Sequence, residues 1–177
     1  MRRPLPLLVS VVLLAVSLVV TPATASTVVR FPGEPNPSLT PGELNPAVTQ
    51  ATIRTTICNT GWTATIRPSS AYTTALKIKQ IRQYGYRVTA TSAYEEDHLI
   101  SLELGGAPRD PRNLWPEPYS ITTAHGTPVG ARTKDTYENR LHKAVCAGTM
   151  SLAQARARIG LHLVHYWLGL PLSAPHP

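Results

Sequence analysis

Asp97 and His98 stand side by side in the stretch EEDHLISLELGGAPRDPRNLWPEP, Glu95 to Pro118, with Gly105-Gly106 and then Asn113-Leu114-Trp115-Pro116 after them. Side chains of these types could serve a hydrolysis, that of a phosphate ester among others. A neutral imidazole near pH 7 can take a proton from water. A carboxylate beside it, with amide oxygens, can hold a hard divalent cation that stabilises phosphoryl oxygens and a leaving group. Glu95 and Glu96 would repel such a substrate unless they bind the metal or pair with Arg109 and Arg112.

The elements that must position these groups follow from local pattern. Leu99, Ile100, Leu102 and Leu104 form an apolar, strand-forming run. Gly105-Gly106 permits a tight reversal, and Asp110-Pro111-Arg112 makes another turn. Asn113-Leu114-Trp115 then leads into a return strand that Pro116 ends. A helix is expected over Ala131 to Ala147, stopped at Gly148, with Tyr137, Leu141, Ala144 and Val145 on one side. Strand, glycine turn, strand and helix make a ββα unit, with Tyr119 to Gly130 as an insertion before the helix.

DHLISLELGG followed by NLWPE resembles the HNH, or His-Me finger, nucleases. TICNTGWTATIRPS, YTTALK, YEEDHLISLELGGAPRDPRNLWPE and KDTYENRLHKAVCAG together resemble exported bacterial proteins of HNH type, over more than half of the chain. The resemblance implies a general base at His98 and a metal ligand at Asp97. It implies that Asn113 ties down the hairpin loop and orients His98. The family's third position, a His or Asn on the following helix, falls on Asn139, with His142 as the second choice. The cofactor implied is a divalent metal ion, Mg²⁺ or else Mn²⁺, held by Asp97 with Asn139 or His142. Arg109, Arg112 and Lys134 are candidate phosphate contacts, although Lys134 reads equally well as part of a solvated helix face. Many HNH proteins carry zinc-binding Cys pairs around the motif, and this chain has no CxxC.

Around this unit the chain of 177 residues has room for one domain. Residues 1–25 join Arg2-Arg3, an apolar run from Leu5 to Val20 and Ala23-Thr24-Ala25, the pattern of a secretory signal peptide cut after Ala25. The apolar run is a little short for a membrane span. Its removal takes away two arginines and no acid, so the net charge falls from +7 to +5. That excess favours polyanions such as DNA or RNA. Residues 26–49 are dense in Pro, Gly, Asn, Ser and Thr and read as an extended arm; residues 50–170 form the HNH-like domain and 171–177 a tail.

Ala51 to Arg67 is rich in Thr and Ile and is expected as two short strands about Asn59-Thr60-Gly61. Thr73 to Tyr84 reads as an amphipathic helix with a basic face, ended at Gly85. Ser151-x-x-Gln154 has the form of a capping box, opening a helix to about Leu168. Cys58 and Cys146, both in the exported part, are expected as one disulfide. The whole reads as a secreted, monomeric α+β domain with an HNH-like ββα-metal core, acting as a metal-dependent nuclease without membrane attachment once the signal is cut. The competing reading is a non-catalytic envelope or nucleic-acid-binding protein that keeps the fold.

Overall fold

The computed structural model describes residues 33–122, 126 and 128–168, with side-chain surroundings given to residue 160. The expected signal peptide and tail lie outside the described residues, as does His125. The fold mixes α and β: four α-helices and two small antiparallel sheets among these residues, with one disulfide. No helix among them is long and apolar enough to cross a membrane.

In chain order the helices and strands are α1 (Trp62–Ile66), α2 (Ser70–Gln83), β1 (Tyr94–His98), β2 (Leu114–Pro118), β3 (Ile121–Thr122), β4 (Pro128–Val129), α3 (Ala131–Cys146) and α4 (Leu152–Leu168). β1 and β2 pair antiparallel, with Asp97 opposite Trp115 and His98 opposite Leu114. The insertion after β2 is itself a small hairpin, β3 against β4.

Local signals account for the helix ends. Ser69 Oγ accepts from Tyr72 N at 3.4 Å to start α2. After α2 the chain turns at Gly85, where Tyr86 N reaches back to Ile81 O at 3.1 Å. The capping box forms as expected: Gln154 N donates to Ser151 Oγ at 3.2 Å, and Ser151 N donates to Gln154 Oε1 at 2.9 Å.

Three expectations need correcting. Ala51 to Arg67 is not a pair of strands but a 3-10 turn at Ile53–Thr55 followed by α1. β-branched residues favour strands only where a partner strand lies beside them. Here Thr52 O instead collects bonds from Thr55 N, Thr56 N and Thr56 Oγ1. The apolar run after His98 is not strand either: β1 stops at His98, and Leu102–Leu104 is a 3-10 turn that buries both leucines. Asn113 takes the polar groups of Ile100 that a neighbouring strand would have taken. Finally, the arm is part of the packed body from Thr40 to Val48. Thr40 and Val48 are buried, and Gly42 N, Asn45 N and Glu43 O bond to Arg112 O, Gly105 O and Ala107 N at 2.9 Å each. Backbone groups that find partners in a neighbouring loop have no need of water.

α2 packs against the β1–β2 hairpin, where Gln80 Nε2 donates to Leu114 O at 2.8 Å and Lys77 Nζ to Tyr94 O at 2.9 Å. The main apolar core lies elsewhere, where Leu141 and Val145 of α3 meet Leu152, Ala155 and Ile159 of α4, with Val48, Ile53, Ile57 and Leu104. Cys58 and Cys146 are bonded across this core, 88 residues apart in sequence. A second cluster holds Trp115, Leu99 and Val129. Opening so long a loop should cost about 3–5 kcal/mol in the chain-entropy account. A Cys58→Ser, Cys146→Ser double variant is therefore expected to lose about that much in urea unfolding, with the wild type behaving alike once reduced.

Candidate functional site

The site is built where β1 ends. Asn113 has no exposure to solvent, and its side chain makes three bonds across the loop that joins β1 to β2. Oδ1 accepts from Ile100 N at 2.9 Å, while Nδ2 donates to Ile100 O and to Ala107 O, each at 3.0 Å. The glycines allow this closure. Gly105 has φ +78°, and a Cβ on Gly106 would collide with the Ile100 carbonyl and the Asn113 amide. One peptide beyond the anchored Ala107, the Pro108 carbonyl meets His98 Nε2 at 3.0 Å.

That contact sets the state of His98. A carbonyl oxygen only accepts, so Nε2 carries the hydrogen and Nδ1 of the neutral ring keeps its lone pair. Among the described residues Nδ1 has no hydrogen-bond partner. Burial pushes the His98 pKa below its usual 6.5 and outweighs the Pro108 bond and the nearby Asp97, which favour the charged form. His98 is 5% exposed, and its ring is neutral near pH 7.

Asp97 faces a different partner. Its Oδ1 accepts from His98 N at 2.8 Å, and its Oδ2 accepts from Lys134 Nζ of α3 at 2.5 Å. Lys134 also donates to Glu138 Oε1 at 2.6 Å and to His98 O at 2.8 Å, so all three ammonium hydrogens are used. Glu117 Oε2 lies 4.0 Å away. The Lys134 side chain has no exposure at all.

A buried cation among three carboxyls must settle which of them is charged. Burial works against the Lys134 charge, but Asp97, Glu138 and Glu117 outweigh it and raise its pKa well above normal. Burial likewise works against the Asp97 charge, yet Lys134 and hydrogen bonds hold its pKa below normal. Glu117, buried with Asp97 already charged beside it, has its pKa raised well above the carboxylate range. Neither of its oxygens has a hydrogen-bond partner among the described residues, which suits a neutral carboxyl rather than a buried charge. Burial also pushes Glu138 up to about 8. The result is one ammonium–carboxylate pair with two largely neutral carboxyls around it.

The other expected residues do not join this group. Asn139 is exposed, and its Nδ2 donates to Asp135 O of its own helix at 2.8 Å. Lys134, Glu138, Leu141 and Val145 form the buried face of α3, and Asn139 lies about 100° around the helix from Glu138. His142 is held at the disulfide, with Nε2 2.8 Å from Ile57 O and 3.3 Å from Cys146 Sγ, and Nδ1 3.6 Å from Glu103. Among the described residues, Cys58, His142 and Cys146 are the one set of three His, Cys, Asp or Glu ligand atoms within 4.8 Å of one another, and both sulfurs are spent in the disulfide. The expected set of Asp97, Asn139 and His142 therefore does not converge, and these residues do not fit a divalent ion.

Lys134 cannot touch substrate phosphate, because it is buried and saturated. Arg112 is exposed and pairs with Glu43 at 2.6 Å, and Arg109 lies over the Tyr72 ring at 4.6 Å. They do not pair with Glu95 or Glu96. Sequence reading missed Glu117, Glu138 and Arg67. The spacing of Lys134 and Glu138, one helical turn apart, was a usable signal. Nothing local marks Arg67, an exposed residue after α1 that acts electrostatically on both His98 and Asp135. Comparison with protein-family models, curated proteins and solved structures finds no match for this chain.

Two measurements probe this arrangement. Asn113→Ala would strand the N–H and C=O of Ile100 and the C=O of Ala107, and is expected to cost about 3 kcal/mol in urea unfolding. The carboxyl oxygens of half-buried Glu96 are shielded from water with neither hydrogen-bonded, and burial lifts its pKa to about 8. Its folded pKa lies above the unfolded 4.5, so its contribution to stability is complete below that value and is lost as pH rises towards 8. Glu96→Gln is accordingly expected to lie close to wild type at pH 5 and to exceed it by several kcal/mol at pH 9 in urea unfolding.

Proposed function

We propose that this chain is an exported nuclease that hydrolyses phosphodiester bonds of DNA or RNA, with His98 as general base on an HNH-like ββα scaffold. The observation that carries this reading is the His98 Nε2 contact with the Pro108 carbonyl, which leaves Nδ1 as the proton acceptor. Asn113 supports it as a positioning residue, holding the loop that presents Pro108.

In the proposed step His98 Nδ1 takes a proton from water as the water oxygen bonds to phosphorus. The bond from phosphorus to the leaving sugar oxygen breaks, and that oxygen takes a proton from solvent. Arg67 offers an exposed guanidinium for the phosphate, and the basic net charge of the chain favours a polyanion without reading its bases. The lowered pKa keeps His98 in its basic form at pH 7.

A second reading has its own support. The Asp97 carboxylate is already committed to Lys134, which suits a nucleic-acid-binding or envelope protein that keeps the fold without hydrolysis. Incubation of the purified oxidised protein with plasmid DNA and with RNA, with Mg²⁺, with Mn²⁺ and with chelator, separates the two. Cleavage is expected, and His98→Ala should lower its rate by about 10²–10⁴-fold. The rate should rise with pH to a plateau whose midpoint lies below 6.5. Undiminished cleavage by His98→Ala would remove His98 from the mechanism, and no cleavage under any condition would leave the binding reading.

A further inference from the structure

We propose that Lys134 is a resident cation, its ammonium taking the seat between Asp97 and Glu138 that a divalent ion would need, so that the chain's chemistry does not depend on a metal there. The inference deepens the nuclease reading and rests on it for the catalytic consequence alone. The geometry is that of a filled coordination shell. Lys134 Nζ donates to Asp97 Oδ2, Glu138 Oε1 and His98 O within 2.8 Å, with Glu117 Oε2 at 4.0 Å. The Asp97 carboxylate from β1, the Glu138 carboxyl from α3, which a divalent ion would ionise, and a backbone carbonyl are the hard oxygen donors that Mg²⁺ or Mn²⁺ prefers. Magnesium also demands near-octahedral oxygens at about 2.0–2.1 Å. It cannot share these oxygens with an ammonium that already points a hydrogen at each.

The choice of cation has consequences for His98. Lys134 holds both the Asp97 side chain and the His98 carbonyl, so it fixes the strand end from which the imidazole projects. It acts through His98 and Asp97, without contact with substrate, and is a positioning residue. Being covalently part of the chain, this cation cannot be withdrawn by a chelator. Its cost is that one charge stands where a divalent ion would bring two, which leaves the phosphate to exposed side chains.

The test compares wild type, Asp97→Asn, Lys134→Ala and the Asp97→Asn, Lys134→Ala double variant, all disulfide-intact. Manganese binding is read by electron paramagnetic resonance, and thermal unfolding is followed with and without Mn²⁺. Wild type is expected to show no stoichiometric Mn²⁺ site, an unchanged Tm on adding Mn²⁺ or chelator, and full plasmid cleavage in chelator. Lys134→Ala should be less stable, should gain one Mn²⁺ site and should recover Tm as Mn²⁺ is added; the double variant should lose that site. Stoichiometric Mn²⁺ binding by wild type that Asp97→Asn abolishes would overturn the proposal, as would wild-type cleavage that chelator stops and Mn²⁺ restores. A folded Lys134→Ala that takes no Mn²⁺ would overturn it too. Should that variant fail to fold, the wild-type arms decide alone. Absence of cleavage in every arm counts against the nuclease reading, while the manganese and Tm arms still decide the cation seat.

Discussion

A lysine ammonium with no access to water is the constraint on which the rest of this structure depends. Moving such a charge into the interior costs several kcal/mol, recovered only when every hydrogen finds a well-placed oxygen. Lys134 meets that demand with oxygens from two elements distant in sequence, β1 and its own helix α3. The requirement therefore fixes how α3 is rotated and how near it lies to the end of β1. It also decides the protonation of Glu117 and Glu138, since the single positive charge is matched by Asp97.

The imidazole sits at the junction of two independent supports. On one side the Lys134 network grips the His98 backbone carbonyl; on the other the loop anchored by Asn113 presents the Pro108 carbonyl to the ring. The first sets where the residue is, and the second sets which nitrogen carries the hydrogen. A neutral ring with one nitrogen satisfied is what a base for water requires, and burial keeps it neutral. The arm from Thr40 to Val48 reinforces the same loop through backbone bonds at Gly105, Ala107 and Arg112. A segment rich in proline and polar residues thus contributes to the rigidity of the site.

The disulfide works at the other end of α3. It joins the last residue of that helix to the turn before α1, across the main apolar core. With Lys134 near one end of α3 and Cys146 at the other, the helix is fixed at both ends. His142 belongs to this second anchorage, where it lies against Ile57 and the sulfur of Cys146.

Much of this was legible in the sequence where the signal was local. Gly85, Gly148 and the Ser151–Gln154 pair mark helix ends because caps act within a turn of chain, whereas the Ser69 cap set the start of α2 ahead of the expected Thr73. The hairpin carrying His98 and Asn113 was readable from its double glycine and its return strand, and the pairing of the two cysteines from their even number in a segment expected to be exported. What tertiary structure decided was non-local. Ala51 to Arg67 found no strand partner and coiled, and the arm found partners and packed. The turn of α3 about its axis placed Glu138 inside and Asn139 outside, although the two are adjacent in sequence. Residue types and spacing determine which chemistry the chain can attempt. Which side chain meets Asp97 depends on the packing of α3 against a core built from elements far apart in the chain, and that packing chose the ammonium of Lys134.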